Sequence, residues 1–221
     1  MTASRKRQTA SAIPAPVYHL KVSLEGVEPA IWRRLQVPGN ANLGWLHVVI
    51  QVAMGWTNSH MHQFIVGERL YSDPRIEIND FEDGPSVLDE NVTAIMDIAP
   101  RVHSTFLYEY DFGDSWEHRI IVEKIRDPDP AVAGVAQCLA GERACPPDDC
   151  GGVYGYANLL EVIMDPKHEE YEDMMDWLGG KFEPEAFDRE KINKHLRKLK
   201  WPRTTEGQFA RVLMQRDGVQ G

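Results

Sequence analysis

The chemistry this 221-residue chain could carry is concentrated in three short segments. Cys138, Cys145 and Cys150 are its only cysteines, and they fall within thirteen residues that run into Gly151-Gly152. In a reducing compartment, thiols this close together point to metal or redox chemistry rather than a stable disulfide. A structural zinc site takes four ligands, so three thiols would need one more from elsewhere. The spacing follows no zinc-ribbon or finger pattern. Two other readings stay open: small buried residues that pack a loop, or a redox pair.

The second segment is His60-Met61-His62. On a strand, residues two apart share a face, so both imidazoles could approach one ion. Equally, both could be half-buried and hydrogen-bonded beside Phe64 and Val66. The third runs from Asp111 through Gly113 and Asp114 to Trp116 and His118. Asp and Gly suit a hairpin turn without any further role. His118 shares a face with Trp116, Ile120 and Val122, so it needs a polar partner, and it is the expected fourth ligand for zinc with the three cysteines. His60, His62, Asp111, Asp114 and Trp116 would line a cleft.

The elements that must position these residues are legible in the hydropathy pattern. Val17 to Leu24 alternates with Tyr18, Leu20, Val22 and Leu24 on one face, and Ile31 to Val37 alternates again after a turn at Gly26–Pro29, giving a β-hairpin. Arg33 falls on the apolar face, where its charge needs a partner or a route to solvent. Asn42 is placed to cap a helix over Leu43 to Met54 that Gly55 ends. His60 to Val66 reads as a strand, Gly67-Glu68 as a turn and Arg69 to Tyr71 as a return strand. Asn91 is placed to cap a short helix over Val92 to Ile98. Phe106 to Phe112 and Trp116 to Val122 form a second long hairpin, residues 126–152 a Pro/Gly/Cys loop, and the remainder helices near 156–164, 169–177 and 184–199. The class expected is α+β: antiparallel hairpins packed with helices, a ββαββ-type core and a C-terminal helical layer. Residues 17–200 would form one domain, with a disordered basic tail at 1–16 and a flexible tail at 201–221.

The net charge is −10, and removing +3 for residues 1–16 and +1 for 201–221 leaves −14 on residues 17–200. Such a body repels a phosphate backbone, which disfavours nucleic acid as a partner. No apolar run approaches the roughly 18 residues of a membrane span, and the N-terminal segment lacks the apolar stretch of a secretory signal. The expected setting is the cytoplasm. No P-loop, dinucleotide-binding glycine pattern or HExxH motif occurs. The run Asn79 to Gly84 has Phe81 where a calcium loop needs an oxygen ligand, and the acidic runs 77–90 and 169–176 read as solvated faces.

Five blocks carry a resemblance to a known family: Ile31–Arg34; Ala53–Trp56 with Ser59–Phe64; Tyr108–Asp114 with Trp116–His118; Cys138–Gly152; and Trp177–Gly180. Together they resemble the Ri-plasmid ORF-three-like family, also labelled insertion-element passenger TnpR proteins. The resemblance implies an α+β fold, a bacterial or archaeal cytosolic setting and carriage on mobile elements. It brings no agreed activity or catalytic residues. The leading expectation is a non-enzymatic interaction module stabilised by zinc, with a protein partner bound through exposed aromatics such as Trp32, Trp45 or Trp56. The alternative is a metal-dependent hydrolase using His60, His62, Asp111, Asp114 and His118. A DNA resolvase, which needs a nucleophilic Ser or Tyr among arginines, is least favoured.

Overall fold

Alternation writes the first hairpin. β1 (Val17–Leu24) and β2 (Trp32–Pro38) pair antiparallel, with Leu20 opposite Leu35 and Val22 opposite Arg33. The computed structural model describes residues 15–75, 86–130 and 134–199. The expected tails at 1–14 and 200–221, and the Asn79–Gly84 run, lie outside the described residues. Ile31, Leu35 and Val37 are buried as the alternation predicts, and so is Arg33. Its guanidinium donates to the carbonyls of Trp32, Ala53, Glu142 and Arg143 at 2.7–2.9 Å and stacks 5.0 Å from the Phe187 ring. A cage of carbonyl dipoles thus takes the place of the carboxylate partner a buried cation usually needs.

The chain continues through α1 (Leu43–Met54), β3 (His62–Val66), β4 (Arg69–Ser72), β5 (Val87–Asp89) and α2 (Ile95–Ile98). It then forms β6 (Thr105–Tyr110), β7 (Trp116–Arg126), β8 (Gln137–Glu142), α3 (Gly152–Met164), α4 (Tyr171–Trp177) and α5 (Arg189–Leu196). Asn42 caps α1 by accepting from the Trp45 amide, and Gly55 ends it in a left-handed conformation. The strands form one eight-stranded sheet in the order β5-β4-β3-β6-β7-β1-β2-β8. Every pairing is antiparallel except β4 with β5. The fold is α+β. The ββαββ order is present, but the β6–β7 hairpin inserts between its two halves.

Five features differ from expectation. β8 lies inside the segment expected to be all loop, because Gln137–Glu142 buries one apolar side chain, Cys138, and contains glycine. β5 arises from a polar stretch by pairing alone. Ala94, not Asn91, precedes α2, and α5 is shorter than residues 184–199. β3 begins at His62, so His60 lies outside the strand.

The core lies between α1 and one sheet face carrying Tyr18, Leu20, Phe64, Tyr108, Trp116 and Ile120. Trp45 and Trp56, expected as exposed partner anchors, are each only 1% exposed. Trp32 is half-buried beneath Lys21 and Arg34. Among the described residues, no helix is long and apolar enough to cross a membrane.

Candidate metal centre

Three loops meet at the end of the β6–β7 hairpin: residues 57–61 leading into β3, the turn 111–115, and residues 146–151 leading into α3. Loop-to-loop hydrogen bonds hold them together. The Trp56 indole N–H donates to the Pro146 carbonyl at 2.9 Å. The Thr57 amide and hydroxyl donate to Asp148 Oδ2 at 3.2 and 2.7 Å. The Gly151 amide donates to Asp114 Oδ2 at 3.1 Å. At Gly152 the approach is so close that a Cβ would sit 2.5 Å from the Asp114 carbonyl oxygen, at a φ of +67° that already favours glycine.

A buried network beneath aims the first loop. Gln51 donates to the Tyr108 hydroxyl at 2.9 Å, and that hydroxyl and His47 Nδ1 are 2.8 Å apart. His47 Nε2 donates to Asn58 Oδ1 at 2.7 Å, and the Asn58 amide returns to Gln51 Oε1 at 3.0 Å. This closed ring holds Asn58 at a φ of +58°, a conformation Asn adopts more readily than most residues. Asp111 and Asp149 are held left-handed as well, each with φ near 60°.

The result is a cluster of His60, Asp111 and Asp149 whose ligand atoms all lie within 4.8 Å of one another. His60 Nε2 is 3.1 Å from Asp149 Oδ1 and 3.5 Å from Asp111 Oδ2. That nitrogen is itself buried and makes no hydrogen bond. The other Asp111 oxygen accepts from the Gly113 and Asp114 amides, which leaves Oδ2 turned toward the imidazole. Asp149 is solvent-exposed, so the cluster has an open side.

The residues expected from sequence fall in several places. His60 and Asp111 meet here, and Asp114 braces the loop behind them. His62 does not join: it turns into the core, where Nε2 is 2.8 Å from Glu90 Oε2 and its ring stacks on His47. The pairing of His60 with His62 required both to lie on one strand, and only His62 does. Trp116 packs in the core beside Trp56. His118 is fully buried, with Nδ1 3.3 Å from the Tyr108 carbonyl oxygen and its edge against Trp56; burial pushes its imidazole down to about 4.

The zinc set of Cys138, Cys145, Cys150 and His118 is not brought together: among the described residues, the one group of metal-ligand type is His60, Asp111 and Asp149. Cys138 sits in β8, with its backbone bonded to the Asn193 side chain. Cys145 Sγ accepts from Arg33 at 3.3 Å and lies 3.2 Å from Met54 Sδ. Cys150 faces a different groove, beside α3 and α4. Burial raises all three thiols, Cys138 to about 11 and Cys150, with help from Asp114, to about 12. They are neutral thiols at physiological pH, which suits packing better than nucleophilic or redox work.

Asp149 is the residue the sequence reading missed. Its signal was the Asp148-Asp149 pair inside the cysteine loop, which ends in the two glycines that permit close approach.

The family model described as plasmid pRiA4b ORF-3-like protein matches residues 16–191. An uncharacterised protein of Sinorhizobium fredii is 37% identical over 193 residues, covering 86% of this chain and 96% of its own length. The crystal structure of a protein of unknown function from Methanosarcina mazei is similar at a TM-score of 0.68 and 38% identity, covering 80% of this chain and 97% of that one.

Proposed function

The chain belongs to the plasmid pRiA4b ORF-3-like family, and from that premise we propose that it is a divalent-metal protein whose His60–Asp111–Asp149 centre supports hydrolysis. The observation that carries this reading is His60 Nε2, buried without a hydrogen bond between two carboxylate oxygens at 3.1 and 3.5 Å. Metal–ligand bonds of about 2.1 Å at tetrahedral or octahedral angles place neighbouring ligand atoms about 3.0–3.4 Å apart. The His60–Asp149 distance falls in that range and the His60–Asp111 distance lies just above it, so small side-chain shifts would seat a shared ion.

One imidazole and two carboxylates form a hard-to-borderline donor set that suits Mn2+, Fe2+ or Zn2+. Three protein ligands would leave a position for water, and the chemistry such an ion would supply is a bound water made acidic enough to act as a nucleophile. The Asp114 and Asp148 carboxylates border the site and hold the loops through backbone amides. Two of the aromatics that would anchor an interaction module, Trp45 and Trp56, are in the core. A thiolate zinc site would require Cys138, Cys145, Cys150 and His118 to leave their present partners. A resolvase reading draws no support from an acidic body.

Elemental analysis of protein purified without a metal-affinity tag tests the proposal, followed by Mn2+ titration. We expect one equivalent of ion, retained in Cys145→Ser and lost in Asp149→Asn and His60→Ala, with metal-stimulated hydrolysis of p-nitrophenyl esters or phosphodiesters lost in the same two variants. Stoichiometric zinc that disappears in Cys145→Ser and persists in Asp149→Asn would overturn it.

A further inference from the structure

A groove of about 300 Å3 opens between α3 and α4, immediately beside the candidate centre, and Asp149 belongs to both. Its walls combine two chemistries. Asp149, Glu170 and Asp173 supply carboxylates, all on exposed residues. Leu159, Met174 and Trp177 supply an apolar floor, and Trp177 is 50% exposed although it is among the largest side chains in the chain.

An exposed indole flanked by carboxylates suits a cation on an apolar stem. A guanidinium stacks on an aromatic face and pairs with carboxylates through its planar fork, which an ammonium cannot do as well. The negative body would draw such a ligand in, and the groove's volume accommodates one long side chain. Resting on the hydrolase reading above, we infer that this groove is a specificity pocket for the arginine side chain of a peptide substrate. Asp149 belongs to both pocket and cluster, so a ligand seated in the groove lies next to the proposed ion.

The probe is acetyl-Ala-Arg-Ala-amide, followed by the shift of the Trp177 indole N–H in NMR spectra and by calorimetry, on protein loaded with diamagnetic Zn2+ and on EDTA-treated protein. We expect saturable binding that moves the Trp177 resonance. The citrulline analogue, equal in shape but uncharged, should bind about tenfold more weakly because charge-assisted pairs are lost. Asp173→Asn and Trp177→Leu, both at exposed positions outside the metal cluster, should weaken the arginine peptide by a similar factor and leave ion stoichiometry at one. Equal affinity for the arginine and citrulline peptides, or no binding by protein that holds its ion, would overturn the pocket and leave the metal centre standing. Peptide binding by protein that takes up no ion would instead overturn the metal reading, and with it the assignment of the peptide as substrate.

Discussion

His47 and His62 stack face to face with ring centroids 3.4 Å apart and planes 5° from parallel. Two cations cannot share that space, and burial keeps both imidazoles neutral: His62 is pushed down to about 4 and His47 well below its ordinary value. Glu90, bonded to His62, is pushed up to about 7, chiefly by burial. A carboxyl whose folded pKa is raised holds its proton longer in the fold than in the unfolded chain, so its contribution is most favourable at low pH and is lost as pH rises from about 4.5 through 7. Glu90→Gln keeps the shape and a donor for His62 without the titration. Relative to the native protein it should therefore gain stability between pH 5 and pH 8, by about 1–3 kcal/mol. Urea denaturation of both proteins at pH 5, 6.5 and 8 measures this, and a stability difference that does not change with pH would refute it. Arg33 sits at the same scale. Its place on an apolar face was evident from alternation, but its solution, four backbone carbonyls drawn from three separate segments, depends on tertiary contacts that no local pattern encodes.

At the scale of elements, the centre depends on how closely the 146–151 loop can press against α3 and the hairpin turn. A Cβ added at Gly155 would lie 1.9 Å from the Cys150 carbonyl oxygen, so the loop would have to move. In an ordinary helix, replacing glycine by alanine stabilises by up to about 1 kcal/mol. Here Gly155→Ala should do the reverse. We expect a lower thermal midpoint and Mn2+ affinity reduced at least about tenfold, since Asp149 moves with the loop; calorimetric titration and a melting curve read both, and a stabilised variant with unchanged affinity would contradict the account. The hairpins β1–β2 and β6–β7 could be read from sequence because each buries one face, and period-two alternation is a local signal. β8 and β5 could not, because they are recruited by neighbours rather than by their own pattern. The same limit governed the site. The three segments that could carry chemistry were visible, and they do meet. Which side chains turn toward one another was set by left-handed residues at Asn58, Asp111 and Asp149 and by the start of β3 at His62, none of which residue spacing specifies. The cysteines mark the loop in the sequence, while its aspartate, Asp149, is the residue that reaches His60.

At the scale of the whole molecule, the eight-stranded sheet with α1 on one face is the platform; the metal centre lies where loops leave it, as binding residues on scaffolds commonly do, and the groove lies beside it between α3 and α4. The body's charge of −14 over residues 17–200 would both attract cations and repel nucleic acid. Metal centre and groove share Asp149, so both depend on whether an ion sits between His60, Asp111 and Asp149. The most direct measurement is anomalous diffraction from crystals of this protein grown with Mn2+. One strong anomalous peak is expected within about 2.0–2.3 Å of His60 Nε2, Asp111 Oδ2 and Asp149 Oδ1. A peak at the cysteines instead, or none at these three side chains with Mn2+ in excess, would contradict the proposed centre.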